Sequence, residues 1–214
     1  MRLRSLLLAA LAAASFGAFA ADAKPASPVI DPDDFVFDHP QAEWAESYLQ
    51  WVGAFPRDSS PVTDTTGALC DARQDGDVWF LAGSDGTAAV ERHCSVPQGK
   101  TLFVPVAGTV ERSGNKEPDC AALLRIAGEH LTRVSGLSMT IDGQPVYYLE
   151  NHRQATGTCF APGLRQVPRS SAKTSVADGW YVMLRPLAAG PHTLAVEARF
   201  DTTVLSTTYR LDVK

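Results

Sequence analysis

Glu150-Asn151-His152-Arg153 sets a carboxylate, an imidazole and a guanidinium within four residues, one residue after Tyr147-Tyr148. An imidazole can exchange protons near neutral pH, a carboxylate can orient it, and an arginine can hold a developing anion, so the group could support acid–base hydrolysis. The same residue types also make a binding edge. Tyr147 would add apolar area with a polar tip, and Glu150, His152 and Arg153 would add hydrogen bonds. If this stretch is a strand, Tyr147 and Tyr148 point to opposite faces and at least one meets solvent. The plain alternative is a solvated loop whose arginine pairs with Glu150. No catalytic residue is assigned, and Tyr147, Glu150, His152 and Arg153 stand as the candidate binding residues.

Other constellations point away from catalysis. Gly83-Ser84-Asp85-Gly86 lacks the glycine spacing of a nucleophile elbow and reads as a hairpin tip. His93, Cys94, His130, His152 and Cys159 carry zinc-capable atoms, but neither H-E-x-x-H nor paired C-x-x-C spacing occurs. Asp71, Asp75 and Asp77 cluster around Gly76 without the closing glutamate of a calcium loop. Neither a metal nor a cofactor is expected.

The four cysteines, Cys70, Cys94, Cys120 and Cys159, allow three pairings. Cys70–Cys94 and Cys120–Cys159 are favoured, because each pair brackets one supersecondary unit. Closing a loop of about 25 residues stabilises by roughly 3 kcal/mol in the chain-entropy model. Disulfides imply an oxidising compartment. The N-terminus agrees: Arg2 and Arg4 precede an apolar run from Leu6 to Phe19, and Ala18-Phe19-Ala20 fits a cleavage site. That run is too short for a membrane span. Export to the periplasm or the extracellular space is the expectation, with residues 1–20 as signal peptide. Cleavage would remove Arg2 and Arg4 and move the formal charge from -5 to -7. An acidic chain without a basic stripe suits neither nucleic acid nor a polybasic membrane anchor.

The elements that would hold these residues are mostly strands. Residues 21–34, rich in proline and aspartate, read as a flexible tether. Residues 35–214 read as a single disulfide-stapled domain. Within it, Pro40 opens a helix with Trp44, Tyr48, Trp51 and Val52 on one face, an aromatic plug for a sheet. Val78 to Ala82 and Thr87 to Cys94 read as a hairpin, and Lys100 to Ala107 as a strand buried on both faces, with Pro105 forcing an edge or a bulge. Trp79 and Trp180 fall inside apolar runs and are expected in the core. Asp119 caps a second helix over residues 120–134, which Gly136 stops. Leu137, Met139 and Ile141 alternate with polar neighbours, Asp142-Gly143 turns the chain, and Val146 to Leu149 returns. Gly157 to Ser175 is irregular. Near the end, Leu194, Val196, Ala198 and Phe200, then Tyr209, Leu211 and Val213, alternate as half-buried strands. The fold class expected is mainly β, an antiparallel sandwich of immunoglobulin or jelly-roll type with one or two short packing helices.

Three ordered blocks add a resemblance. Val78-Trp79-Phe80-Leu81-Ala82-Gly83 with Cys94-Ser95-Val96-Pro97-Gln98-Gly99-Lys100, then Asp178-Gly179-Trp180-Tyr181-Val182-Met183-Leu184-Arg185-Pro186-Leu187 with His192-Thr193, and the ending Thr208 to Val213, resemble a group of uncharacterised secreted bacterial β-sandwich proteins. The resemblance covers most of the chain from Cys70 onward. It implies the architecture and brings no activity or catalytic residue with it. The function expected is an exported envelope or extracellular binding module for a protein or glycan partner. The alternatives are a small secreted hydrolase of a glycan or ester, and a structural or inhibitory module.

Overall fold

The computed structural model describes residues 27–86, 88–113, 119–161 and 174–214. The expected leader, residues 21–26 of the tether and most of the loop after Gly157 lie outside them. The elements run α1 (Gln41–Gly53), β1 (Val78–Phe80), β2 (Val90–Val96), β3 (Thr101–Arg112), α2 (Cys120–Leu131), β4 (Val134–Ile141), β5 (Gln144–Pro145), β6 (Arg153–Ala155), β7 (Ser175–Leu184), β8 (Gly190–Phe200) and β9 (Thr203–Val213). Among the described residues they form two sheets, ordered β1-β3-β7-β6 and β2-β9-β8-β4-β5.

Period-two patterning sets the faces. Trp79, Leu102, Val104, Trp180, Val182 and Leu184 of the first sheet meet Met139, Leu194, Val196, Ala198, Tyr209 and Leu211 of the second in one apolar layer. β7 is buried along its whole length because its other face is covered too. There α1 lays Tyr48 on Phe103 (ring centroids 5.3 Å apart) and Trp51 on Phe80 (5.7 Å), while Phe103 stacks on Tyr181 (5.2 Å). The aromatic ridge of this helix is a plug for the sheet. α2 begins where expected, with the Asp119 carboxylate accepting the Ala122 N–H at 3.1 Å.

The chain departs from the simple antiparallel reading at the start of the sandwich. β1 pairs with β3 and β2 pairs with β9, both in parallel, so the two sheets are mixed. Residues 83–86 therefore form no hairpin tip; the chain crosses there from one sheet to the other. A buried arginine organises that crossing. Arg92, 1% exposed, donates from Nε to Asp64 O at 2.7 Å and from Nη2 to Val62 O and Gly83 O, both at 3.0 Å, and its Nη1 also meets Ala82 O. Its charge is taken up by backbone carbonyls of two loops, which supplies the hydrogen bonds a buried guanidinium needs.

Other boundaries shift for local reasons. Pro105 lies in a strand flanked on both sides, and the ladder slips between Pro105 and Ala107, the bulge its missing N–H demands. α2 ends at Leu131, and Val134 already opens β4; Gly136 sits at a bulge in that strand and does not stop the helix. The expected tether gives way at Pro28: Ile30 N–H donates to Met183 O at 2.9 Å, Arg185 N–H to Pro28 O at 2.7 Å, and Ile30 is buried. Two successive apolar residues, Val29 and Ile30, cover a free stretch of the β7 edge, which outweighs the proline-rich composition around them.

Candidate functional site

The hairpin signal Asp142-Gly143 delivers the chain to the candidate residues. Both residues have positive φ, 50° and 77°, as a two-residue turn between β4 and β5 requires. Only Gln144 and Pro145 pair on the return; Val146 N–H reaches Met139 O at 2.9 Å, and Tyr148 then takes φ 59°. That left-handed residue turns the expected strand into a short 3-10 turn over Leu149–His152. The change exposes both rings, so Tyr147 is 71% and Tyr148 73% accessible.

The two tyrosines rim a groove of about 400 Å³ at one edge of the sandwich, with Val134 and Leu137 of β4 on one wall and Trp180 of β7 within it. Trp180, itself 9% exposed, donates its indole N–H to Glu150 O at 3.3 Å, which ties the turn to the groove. The Glu150 side chain is on the exposed side of the same turn.

The remaining two candidates differ: Arg153 is half-exposed and paired, and His152 is buried. Arg153 opens β6 and donates from Nε to Asp178 Oδ1 at 2.8 Å and from Nη2 to Asp178 Oδ2 at 2.7 Å. Its guanidinium carbon lies 5.5 Å from the Trp180 ring centroid. Gly128 of α2 lies beside this pair; a Cβ there would be in ordinary contact with Arg153 Nη2, at 3.5 Å. His152 is 4% exposed, and its Nδ1 has no hydrogen-bond partner among the described residues. Burial lowers its pKa below the ordinary value, with Asp31 and Glu150 acting weakly against that shift.

The four candidates are thus split. Tyr147 and Glu150 line the groove, whereas Arg153, half-exposed, is paired with Asp178 over the Trp180 ring and His152 is buried. Three partners escaped the sequence reading: Asp178, the wet Tyr148, and Trp180, whose apolar surroundings gave only a core signal. Among the described residues no three His, Cys, Asp or Glu side chains gather closely enough to hold a metal ion. The expected disulfides are present, Cys70–Cys94 and Cys120–Cys159, with Cα separations of 5.6 and 5.5 Å. The first ties the loop before β1 to β2, and the second ties the start of α2 to the segment after β6.

No family model matches the chain, and no curated protein matches it. Among solved structures it is similar to a chain in the structure of PbICP-C in complex with falcipain-2, at 11% identity and TM-score 0.29, covering 65% of this chain and 100% of that one. It is similar to amebosin at 10% identity and TM-score 0.21, covering 57% of this chain and 89% of that one. The Ig7 domain of Dscam1, isoform 5, aligns at 12% identity and TM-score 0.20 over 56% of this chain and 85% of that one.

Proposed function

We propose that the protein is an exported binding module whose ligand sits in the edge groove against Tyr147 and Tyr148, and that this ligand is a glycan. The observation that carries the reading is the pair of adjacent tyrosines, 71% and 73% accessible, beside a groove that Trp180 lines. Aromatic side chains left wet at a concave edge are the feature a ligand can use, since each offers a flat apolar face and a polar tip. The Glu150 carboxylate adds an acceptor at the rim for hydroxyl groups. Export to the periplasm or the extracellular space is supported by the leader pattern of residues 1–20 and by the two disulfides. No helix among the described residues is long and apolar enough to cross a membrane.

Binding is favoured over hydrolysis because Arg153 is engaged on two of its three guanidinium nitrogens by Asp178 and the His152 ring is buried. The test is retention of the oxidised protein on a glycan array, compared with Tyr147→Ala/Tyr148→Ala, together with turnover assays on glycans and esters. Retention lost in the double variant, without turnover, supports the reading. A hydrolytic rate that falls about a hundredfold in His152→Ala with folding intact would replace it with the hydrolase.

A further inference from the structure

A second surface, on the side of α1, carries features that the groove does not use. Val36 and His39 exchange both backbone hydrogen bonds (2.9 and 3.1 Å), closing a two-residue turn on Phe37 and Asp38. Both turn residues have positive φ, 51° and 63°. Asp tolerates that region; Phe does so poorly, and turns of this kind favour Asn-Gly. The chain nevertheless places Phe37 there, 50% exposed, with Phe35 68% exposed on the same turn. Phe37 meets Trp44 edge to face, centroids 6.3 Å apart, and the Trp44 indole N–H donates to Val36 O at 2.9 Å. A strained backbone that holds an aromatic ring in water is an outlier that calls for a function.

Trp44 also forms a wall of a cleft of about 520 Å³ between α1 and residues 155–158, and Glu43 and Glu46 line the same cleft. Among the described residues no lysine or arginine lines it. Among the described residues the Glu43 carboxylate meets the exposed His39 ring, at 2.7 Å, and Glu46 accepts a bond from the Gln50 amide at 3.0 Å. Desolvation, then repulsion from Glu43, raises the Glu46 pKa, as fits a carboxylate whose charge is not balanced. The adjoining chain deepens the negative field. Asp31, Asp33, Asp34 and Asp38 precede the helix, and residues 27–56 contain no lysine or arginine.

We infer that this face docks a basic, apolar segment of a partner protein, with an arginine or lysine entering the cleft between Glu43, Glu46 and the Trp44 ring and apolar side chains covering Phe35 and Phe37. An indole wall beside two carboxylates suits a cation on both counts. The wet phenylalanines supply the apolar contact that a free cation would leave unused. The surface is separate from the Tyr147–Tyr148 groove, so either can fail alone.

The test is calorimetric titration of the disulfide-bonded chain with a short synthetic peptide alternating arginine and leucine, and with its glutamate–leucine counterpart. The basic peptide is expected to bind, to weaken with added salt, and to lose about tenfold or more in Glu43→Gln/Glu46→Gln, while Tyr147→Ala/Tyr148→Ala leaves it unchanged. Phe37→Gly provides a variant that the backbone accepts readily: its denaturation midpoint should hold or rise while peptide affinity falls. Equal binding of both peptides, or an unchanged affinity in the glutamine variant, overturns the proposal. So does a concentration-dependent dimer in sedimentation that Phe37→Gly dissolves, which would make a second copy of this chain the occupant.

Discussion

Asp178 receives Arg153 side-on, Oδ1 from Nε at 2.8 Å and Oδ2 from Nη2 at 2.7 Å, across the ladder between β6 and β7. The Asp178 side chain is 7% exposed and that of Arg153 43%, so the pair spans the boundary between core and water. Asp178→Ala leaves the guanidinium beside Trp180 without its anion. Because Arg153 remains partly solvated, the cost should fall below that of a fully buried pair, at about 1–3 kcal/mol. Urea denaturation measures it, and an unchanged midpoint would show that the pair contributes nothing net.

Much of the scaffold around this pair is legible in the sequence. Alternation in β8 and β9 identifies the inward faces, Asp119 marks the start of α2, and the two disulfides follow from which cysteines bracket a unit. What escapes is the part set by distant partners. Nothing local tells Val78–Phe80 to run parallel to β3, since strand direction depends on where the next segment finds a free edge. Tyr148 adopts a left-handed conformation without glycine or asparagine to signal it. Asp178 lies 25 residues from Arg153, in a run whose apolar neighbours dominate any pattern.

Trp79 tests the core. It is 4% exposed and belongs to the layer between the sheets, although its indole N–H has no partner among the described residues. Trp79→Ala should destabilise by roughly 3–5 kcal/mol through lost burial and a residual cavity. Trp79→Phe should cost clearly less, because it keeps most of the apolar volume and removes the unsatisfied donor. Denaturation midpoints of the two variants would separate these effects.

The disulfides close loops of 24 and 39 residues of sequence separation. Removing either as a paired Cys→Ala variant should cost about 3–4 kcal/mol in the chain-entropy model. Thermal unfolding of each variant checks this, and a loss below about 1 kcal/mol would mean that the unlinked chain keeps the loop closed by other contacts.

Two histidines should give stability opposite slopes with pH. His192 has Nδ1 2.7 Å from Asp142 Oδ2 and Nε2 2.9 Å from Ala188 O, acceptors that favour the doubly protonated ring. Burial lowers its pKa, but those two bonds and the charge of Asp142 together outweigh it and raise the value above 6.5. Its contribution is complete below the unfolded value and is lost as pH rises through the folded one. His152, lowered by burial, contributes fully above 6.5 and loses that contribution as pH falls through its folded value. Denaturation midpoints across this range should show the alkaline slope reduced in His192→Gln and the acid slope reduced in His152→Gln.

The central claim is that Tyr147 and Tyr148 are exposed to hold a glycan in the groove beside Trp180. Its most direct measurement is binding of the oxidised chain to a glycan array, followed by titration of the retained glycan into the wild-type chain and Tyr147→Ala/Tyr148→Ala. Stacking of one base-sized ring on an aromatic side chain is worth about 1–3 kcal/mol, and sugar rings offer a similar flat face. The double variant should therefore weaken binding by about tenfold or more while its denaturation midpoint stays within about 0.5 kcal/mol of wild type. A glycan bound equally well without the two tyrosines, or no retention on any glycan, would contradict the account.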